Sequence, residues 1–111
     1  MKPLDLAQRY LDIFFSGEGL EALTDLLSED CSFRGPFVNF DSAQDYIASL
    51  ISDPPRDSSY KIISALGDDH NAIIVYHFSK PGITTPMAQH FEVTQGRISH
   101  ISLIFDGLAF E

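Results

Sequence analysis

Apolar residues in the first part of the chain recur at helical spacing. Between residues 4 and 16 they return every three or four positions with polar residues between them, which predicts an amphipathic helix. Ser16-Gly17 ends this helix, since glycine readily takes the left-handed conformation that closes helices. A second, short helix with leucines on one side is predicted next, ending at Ser28-Glu29-Asp30.

A short strand and a third helix follow. Residues 31–37 alternate small or polar residues with aromatic ones, which predicts a strand broken at Gly35-Pro36. Asp41 can cap the third helix while Gln44 reaches back to it. This helix ends at Asp53, because the two prolines that follow restrict the preceding backbone and supply no N–H.

The rest of the chain, from Ser59 on, is predicted to form strands. Gln95-Gly96 is a hairpin turn between the last two of them. Helices followed by consecutive strands favour an α+β domain, with three N-terminal helices packed on one face of a curved antiparallel sheet. One domain, residues 1–111, accounts for the length. The four predicted strands are Ser59–Leu66, His70–Ser79, Thr84–Thr94 and Arg97–Phe105.

These late strands are apolar on both faces. Ile74, Tyr76 and Phe78 lie on one face, and Ile73 and Val75 lie on the other. A sheet covered on one side alone should alternate apolar and polar residues. The chain has no spare element to cover the second face, so we expect a homodimer formed through the sheets.

Composition narrows the possible partners and the location. Seven basic and sixteen acidic residues give a net charge of −9, which repels phosphate backbones and anionic lipid, so neither nucleic acid nor a membrane is an expected partner. No apolar run approaches the roughly 20 residues of a membrane span, and the N-terminus lacks the apolar segment of a signal peptide. We expect a cytoplasmic protein. The single cysteine, Cys31, excludes an internal disulfide and reads as a small core residue.

Several segments resemble the nuclear transport factor 2-like superfamily, which includes ketosteroid isomerase and the SnoaL-like polyketide cyclases. The resemblance spans nearly the whole chain and implies a cone-shaped, cystatin-like α+β fold with an apolar pocket between the helices and the concave sheet. It rests on Gln8-Arg9-Tyr10, Leu26–Phe33, His90–Ile98 and the ending Ile104-Phe105-Asp106.

The resemblance places the catalytic positions of ketosteroid isomerase and of the cyclases on individual residues of this chain. Tyr10 matches the tyrosine that holds an oxyanion in ketosteroid isomerase. The protonated acid of that enzyme falls on Gln89, whose amide can still donate a hydrogen bond. The general base falls on Gly35, which cannot take a proton. In the cyclase pattern the catalytic histidine also falls on Gln89, and the aspartate falls on Leu103.

The sequence leaves open which residues of the last strand face the pocket, and one of the two alternatives offers another acid–base pair. Strict alternation from Ile98 turns His100 and Asp106 towards the pocket, where they are the best candidates for proton transfer. A bulge after the hairpin turn instead restores the superfamily arrangement. That arrangement sends His77, His90 and His100 to the opposite face, and no metal site is expected from their spacing.

The sequence therefore predicts a SnoaL-like domain that binds a small apolar molecule, without a cofactor, through Tyr10 and Gln89. An isomerase- or cyclase-type enzyme that lacks the usual base remains open, as does a non-catalytic dimerisation or protein-interaction module. Arg34 near the pocket mouth either binds a carboxylate or pairs with a neighbouring acid. The predicted ligand-contacting residues are Phe14, Phe33, Gly35, Tyr46, Tyr76, Phe78, Met87, Ile101 and Leu103.

Overall fold

The computed structural model describes all 111 residues and confirms the α+β class. Two α-helices and two short 3₁₀ helices accompany one six-stranded sheet. The helices are α1 (Pro3–Ser16) and α2 (Ala43–Ser52), and the 3₁₀ helices are Leu20–Asp25 and Gly107–Phe110. The strands are β1 (Leu27–Arg34), β2 (Asn39–Phe40), β3 (Ser59–Gly67), β4 (Asn71–Lys80), β5 (Ile83–Thr94) and β6 (Arg97–Ile104).

The sheet has the strand order β2-β1-β6-β5-β4-β3. All neighbouring strands are antiparallel except β1 and β6, which pair in parallel. The expectation of a wholly antiparallel sheet is therefore wrong at this one pair. The first and last long strands, β1 and β6, lie side by side, because β3 to β6 form a continuous meander that returns to β1.

Two predicted turns are confirmed by backbone geometry. Gly17 ends α1 with φ 68°, and a Cβ there would lie 2.7 Å from the backbone oxygen of Pro55. Glycine is therefore required both for the left-handed conformation and for the close approach of the chain. Gln95 and Gly96 both have positive φ and join β5 to β6, as the hairpin signal predicts.

Three local expectations are wrong. The second helix is a single 3₁₀ segment, and Ser28-Glu29-Asp30 lies inside β1 rather than ending a helix. The cap of α2 is Ser42, whose side chain accepts from the Asp45 backbone N–H at 3.1 Å. Asp41, the expected cap, instead accepts a hydrogen bond from Arg34 at 2.6 Å.

The core lies between the helices and the concave face of the sheet. It contains Tyr10 and Leu11 from α1, Ile74 from β4 and Phe91 from β5, each at most 1% exposed. Cys31 is buried here too, as predicted, and desolvation, aided by the charge of Asp30, raises the pKa of its thiol to about 12. No helix has the length and hydropathy of a membrane span.

Candidate functional site

A cavity of about 530 Å³ opens between the helices and the concave face of the sheet. The buried side chains of α1, α2, β4 and β5 form its deep end, and exposed residues such as Phe37 mark its mouth. Its volume is in the range that holds a small organic ligand. The lining consists of Tyr10, Phe14, Phe15, Phe33, Phe37, Tyr46, Asp53, Tyr76, Phe78, Lys80, Met87, Gln89, Leu103, Phe105 and Phe110.

Four polar side chains lie together at the deep end of this otherwise apolar cavity. The Tyr10 and Tyr46 hydroxyls are hydrogen-bonded to each other across α1 and α2. The Tyr76 hydroxyl donates to the Gln89 side-chain oxygen at 2.8 Å, joining β4 to β5. Gln89 is 3% exposed, so its amide is held inside the protein rather than at the rim. We call these four residues the phenol–amide cluster.

The three phenols of the cluster stay protonated at neutral pH. Desolvation raises the pKa of Tyr10 and Tyr46, because a buried phenolate loses its hydration. Desolvation also raises the pKa of Tyr76, and the proximity of Tyr10 and Tyr60 adds to this shift. The Gln89 side chain acts in the opposite direction and lowers the pKa of Tyr10, but burial outweighs it. The cluster is therefore a set of neutral hydrogen-bond donors.

Apart from the phenols, the only ionisable lining residues are Asp53 and Lys80. Both are exposed at the mouth, away from the buried cluster. No carboxylate or imidazole lines the deep end, where a general base would have to reach a ligand held by the phenols. The deep end can bind and polarise an oxygen atom, but it offers no ordinary proton acceptor.

Aromatic rings surround the mouth of the cavity. Phe37, from the loop after β1, packs edge-on against Phe105 and Phe110. Phe110 lies on the C-terminal 3₁₀ helix, and the Lys80 ammonium group sits 5.3 Å from the centre of its ring. Access to the cavity thus passes between these rings and the end of β4.

The structure brings most of the predicted site residues together. Tyr10 and Gln89 both line the cavity, and so do seven of the predicted ligand contacts: Phe14, Phe33, Tyr46, Tyr76, Phe78, Met87 and Leu103. Two predicted contacts lie elsewhere. Gly35 lines a smaller adjoining cavity of about 190 Å³, and Ile101 is fully buried in the core without lining the main cavity.

A bulge in β6 removes His100 and Asp106 from the cavity. Glu92 pairs with His100 and the next residue, Val93, pairs with Ile98, so β6 carries one extra residue at this point. The His100 imidazole is hydrogen-bonded to the hydroxyls of Ser32 and Ser102, away from the cavity lining. This is the bulged alternative that the sequence left open.

Asp106 has a local structural partner instead of a place in the cavity. Its carboxylate accepts from the Leu108 backbone N–H at 3.0 Å and caps the C-terminal 3₁₀ helix. The strand ends at Ile104, so alternation no longer determines where residue 106 points. His100 and Asp106 are therefore not brought to the phenol–amide cluster.

Arg34 and the histidines also lie outside the lining. Arg34 pairs with Asp41, the second of the two possibilities that the sequence offered. His77, His90 and His100 lie on the sheet face opposite the cavity, and no three metal-ligating side chains converge anywhere in the structure. Nothing in the lining resembles the ligand set of a metal ion.

Sequence reasoning missed four aromatic lining residues. Phe105 is the last residue of the predicted strand, two positions after the expected contact Leu103, so the predicted alternation already indicated it, although the observed strand ends at Ile104. Phe15 adjoins Phe14 and reaches the cavity from the next position of α1. Phe37 and Phe110 come from a loop and a C-terminal turn, where no periodicity predicts direction.

The convex face of the sheet, on the other side from the cavity, exposes aliphatic side chains. Leu66 pairs across strands with Ile73, and Val75, Ala88 and Ile104 form the neighbouring row. Leu66, Ile73 and Ile104 are 70%, 46% and 63% exposed. The second apolar face that the sequence predicts for these strands is therefore the convex face, which this chain does not cover.

Comparison with known proteins agrees with this architecture. The chain is similar in structure to an NTF2-like protein of unknown function from Cytophaga hutchinsonii, with 17% identity, a TM-score of 0.83 and coverage of 100% of this chain and 96% of that one. A protein from Sphaerobacter thermophilus aligns with 20% identity, a TM-score of 0.81 and coverage of 96% and 97%. An LEH-like epoxide hydrolase from M. tuberculosis aligns with 18% identity, a TM-score of 0.72 and coverage of 95% and 86%.

These likenesses establish the fold, and a sequence match establishes the family. No curated protein sequence matches the chain. The family model of the SnoaL-like domain matches residues 7–101, which include every long strand and both α-helices except the first residues of α1 and the last residues of β6. The chain therefore belongs to the SnoaL-like domain family, with the NTF2-like fold.

Proposed function

We propose that this SnoaL-like domain binds a small apolar molecule in its cavity and holds one carbonyl or hydroxyl group of that molecule at the phenol–amide cluster. The aromatic and aliphatic walls supply the affinity, since burying apolar ligand surface contributes roughly 25 cal/mol per Å². The four buried polar groups supply the orientation, as a few convergent polar groups do in other ligand pockets.

One observation favours binding over proton transfer. Tyr10 and Gln89 are positioned to stabilise negative charge on an oxygen, but the deep end has no carboxylate or imidazole to remove a proton. A positioned general base contributes about 10²–10⁴ in rate, so a site without one is a poor proton-transfer catalyst. We therefore assign the cavity to a receptor or carrier role.

The test fills the cavity and leaves the surface unchanged. The neutral fluorescent probe N-phenyl-1-naphthylamine should bind the wild-type protein and brighten as it leaves water. Leu103→Trp, which places an indole in the lining, should weaken this binding more than tenfold. Ile51→Trp on the exposed side of α2, where the side chain is 50% exposed, is the matched control and should bind like wild type.

Circular dichroism establishes that both variants keep the fold. If Leu103→Trp is folded and binds the probe as tightly as Ile51→Trp does, the probe enters elsewhere and the cavity is not the binding site. A wild-type protein that binds no neutral aromatic probe would also contradict the proposal.

The exposed convex face supports a second proposal, that two copies associate through their sheets. Val75 and Ala88 connect the exposed residues Leu66 and Ile73 to Ile104, which gives an apolar surface that a monomer would leave in water. Light scattering should give the mass of a dimer for wild type and of a monomer for Ile73→Lys, with Ile51→Lys on α2 as the control. A monomeric wild type at micromolar concentration would contradict this proposal, and the non-catalytic interaction module would lose its support.

A further inference from the structure

A second pocket, of about 410 Å³, adjoins the mouth of the cavity. It lies between α1, the loop that follows α2 and the end of β4. Phe14, Asp53, Phe78 and Lys80 line both this pocket and the cavity, so the two spaces share a wall. We call it the mouth pocket. A molecule that fills the cavity can extend one end into it.

The mouth pocket carries an excess of positive charge in an acidic chain. Arg56 and Lys80 line it together with a single carboxylate, that of Asp53. The whole chain has sixteen acidic residues and seven basic ones, so the pocket reverses the balance of the molecule. A net charge of −9 repels anions from the surface as a whole, and a local pair of cations is what allows one to bind at a particular place.

Neither cation is neutralised by the protein itself. The only ion pair in the structure is the one between Arg34 and Asp41. Arg34 and Arg97 also donate to backbone carbonyl oxygens, whereas Arg56 and Lys80 do not. The forked guanidinium of Arg56 and the ammonium of Lys80 therefore keep their donors for a ligand.

Both cations project from constrained parts of the chain. Two prolines restrict the loop before Arg56, and the backbone oxygen of Pro55 lies so close to Gly17 that a Cβ there would come within 2.7 Å of it. The Lys80 ammonium lies 5.3 Å from the centre of the Phe110 ring, whose face attracts a cation. The charged groups are thus held beside the opening of the cavity.

We infer that the mouth pocket binds the carboxylate of an amphipathic monoanion whose apolar body fills the cavity. This inference rests on the proposed function and extends it to the other end of the ligand. Guanidinium and ammonium groups form charge-assisted hydrogen bonds with a carboxylate. A single negative charge fits, because Arg56 and Lys80 outnumber the carboxylate of Asp53 by one.

The deep end of the cavity fixes the direction in which such a ligand enters. It holds no cation, and burying an unpaired carboxylate there would be costly. The apolar body therefore goes in first, and the charged end stays at the mouth, where Lys80 and Arg56 are exposed to water.

The experiment measures how three competitors with the same ten-carbon chain displace N-phenyl-1-naphthylamine from the full-length protein. They are decanoate, methyl decanoate and decyl phosphate, each used below its micelle-forming concentration. The ratio of decanoate affinity to methyl decanoate affinity isolates the charged end, because the chain is common to both. In the wild-type protein we expect this ratio to fall as the ionic strength rises to about 0.3 M, since salt screens exposed charges.

Two double variants with equal changes in net charge test the position of the carboxylate. Arg56→Gln/Lys80→Gln should lower the ratio about three- to tenfold, since each exposed charge pair contributes only modestly to binding. Arg9→Gln/Lys61→Gln removes an arginine and a lysine outside both linings and should keep the wild-type ratio. All four side chains are exposed, and circular dichroism confirms that both variants fold.

The outcomes separate this inference from the function on which it rests. A ratio that falls equally in both double variants, or in neither, overturns the carboxylate site while apolar binding stands. Decyl phosphate that binds more tightly than decanoate overturns the selection of a monoanion. Failure of both the naphthylamine and methyl decanoate to bind overturns the proposed function itself. A salt-sensitive ratio that falls only in Arg56→Gln/Lys80→Gln supports the inference.

Discussion

Alkaline pH should destabilise this protein, because its cavity phenols ionise less readily in the folded state than in the unfolded chain. Tyr10, Tyr46 and Tyr76 have a raised pKa in the folded state, in each case chiefly through desolvation. In the unfolded chain they ionise near pH 10. Their contribution to stability is therefore complete below pH 10 and is lost as the pH rises from there towards the folded-state values.

The magnitude follows from linkage. At pH 11, one unit above the unfolded pKa, each phenol that stays protonated in the fold lowers the free energy of unfolding by about 1.4 kcal/mol. Three such phenols give about 4 kcal/mol, which is a large share of the roughly 5–15 kcal/mol stability of a domain. For a chain of this length this corresponds to a fall in Tm of roughly 15–20 °C.

Thermal melts followed by circular dichroism between pH 8 and pH 11.5 test this prediction. Tyr46→Phe should lose about 1.4 kcal/mol less stability than wild type at pH 11. Cys31, Tyr60 and the lysines are present in both proteins, so the difference isolates one phenol. Tyrosinate absorption should appear together with unfolding. A phenolate signal with a midpoint near pH 10 in a protein that retains its native spectrum would refute the reasoning, because it would mean that water reaches the cluster.

Three further predictions concern the cavity and the N-terminal cap of α2. Tyr10→Phe should weaken binding of 2-acetylnaphthalene about three- to tenfold with the fold intact, and unchanged affinity in calorimetry would remove this hydroxyl from the site. A steroid enone should isomerise no faster with the protein than without it, and rapid turnover in an absorbance assay would show that a base is present after all. Ser42→Ala should lower the free energy of unfolding by about 0.5–2 kcal/mol in urea titrations, because the backbone N–H of Asp45 loses its acceptor. Gln44→Ala, on the exposed side of the same helix, is the control for that loss.

Most of the cavity wall could be predicted because it lies on regular elements. Tyr10 and Phe14 share a helix face at a spacing of four, and Tyr76 and Phe78 share a strand face at a spacing of two. Once these faces are assigned to the core, their contribution to a common cavity follows. Gln89 was a candidate because of the resemblance and not because of this periodicity, and the structure places it in the cavity lining with 3% exposure.

The errors occurred where local preference and tertiary contact disagree. Asp41 is a good capping residue in isolation, but the guanidinium of Arg34 on β1 holds its carboxylate and leaves Ser42 to cap the helix. The start of β1 was misplaced because Ser28-Glu29-Asp30 has the composition of a helix end. β1 pairs with β6 on both sides of this segment, at Leu27 with Ile98 and at Ser32 with His100, so the segment is extended although its own residues have no partner in the register.

The sequence by itself determined the class and the order of the main helices and strands, because these depend on the spacing of apolar residues. The expectation that the usual base is missing came from the resemblance, which places the ionisable positions of the relatives on Gly35 and Leu103. Only the tertiary structure decided which polar side chains reach the cavity and which of them bond to one another. The extra residue in β6 reversed the direction of His100, and the approach of α1 to α2 joined the Tyr10 and Tyr46 hydroxyls. Neither is encoded in local periodicity, because a bulge and a contact between residues 36 positions apart arise only when strands and helices pack against one another.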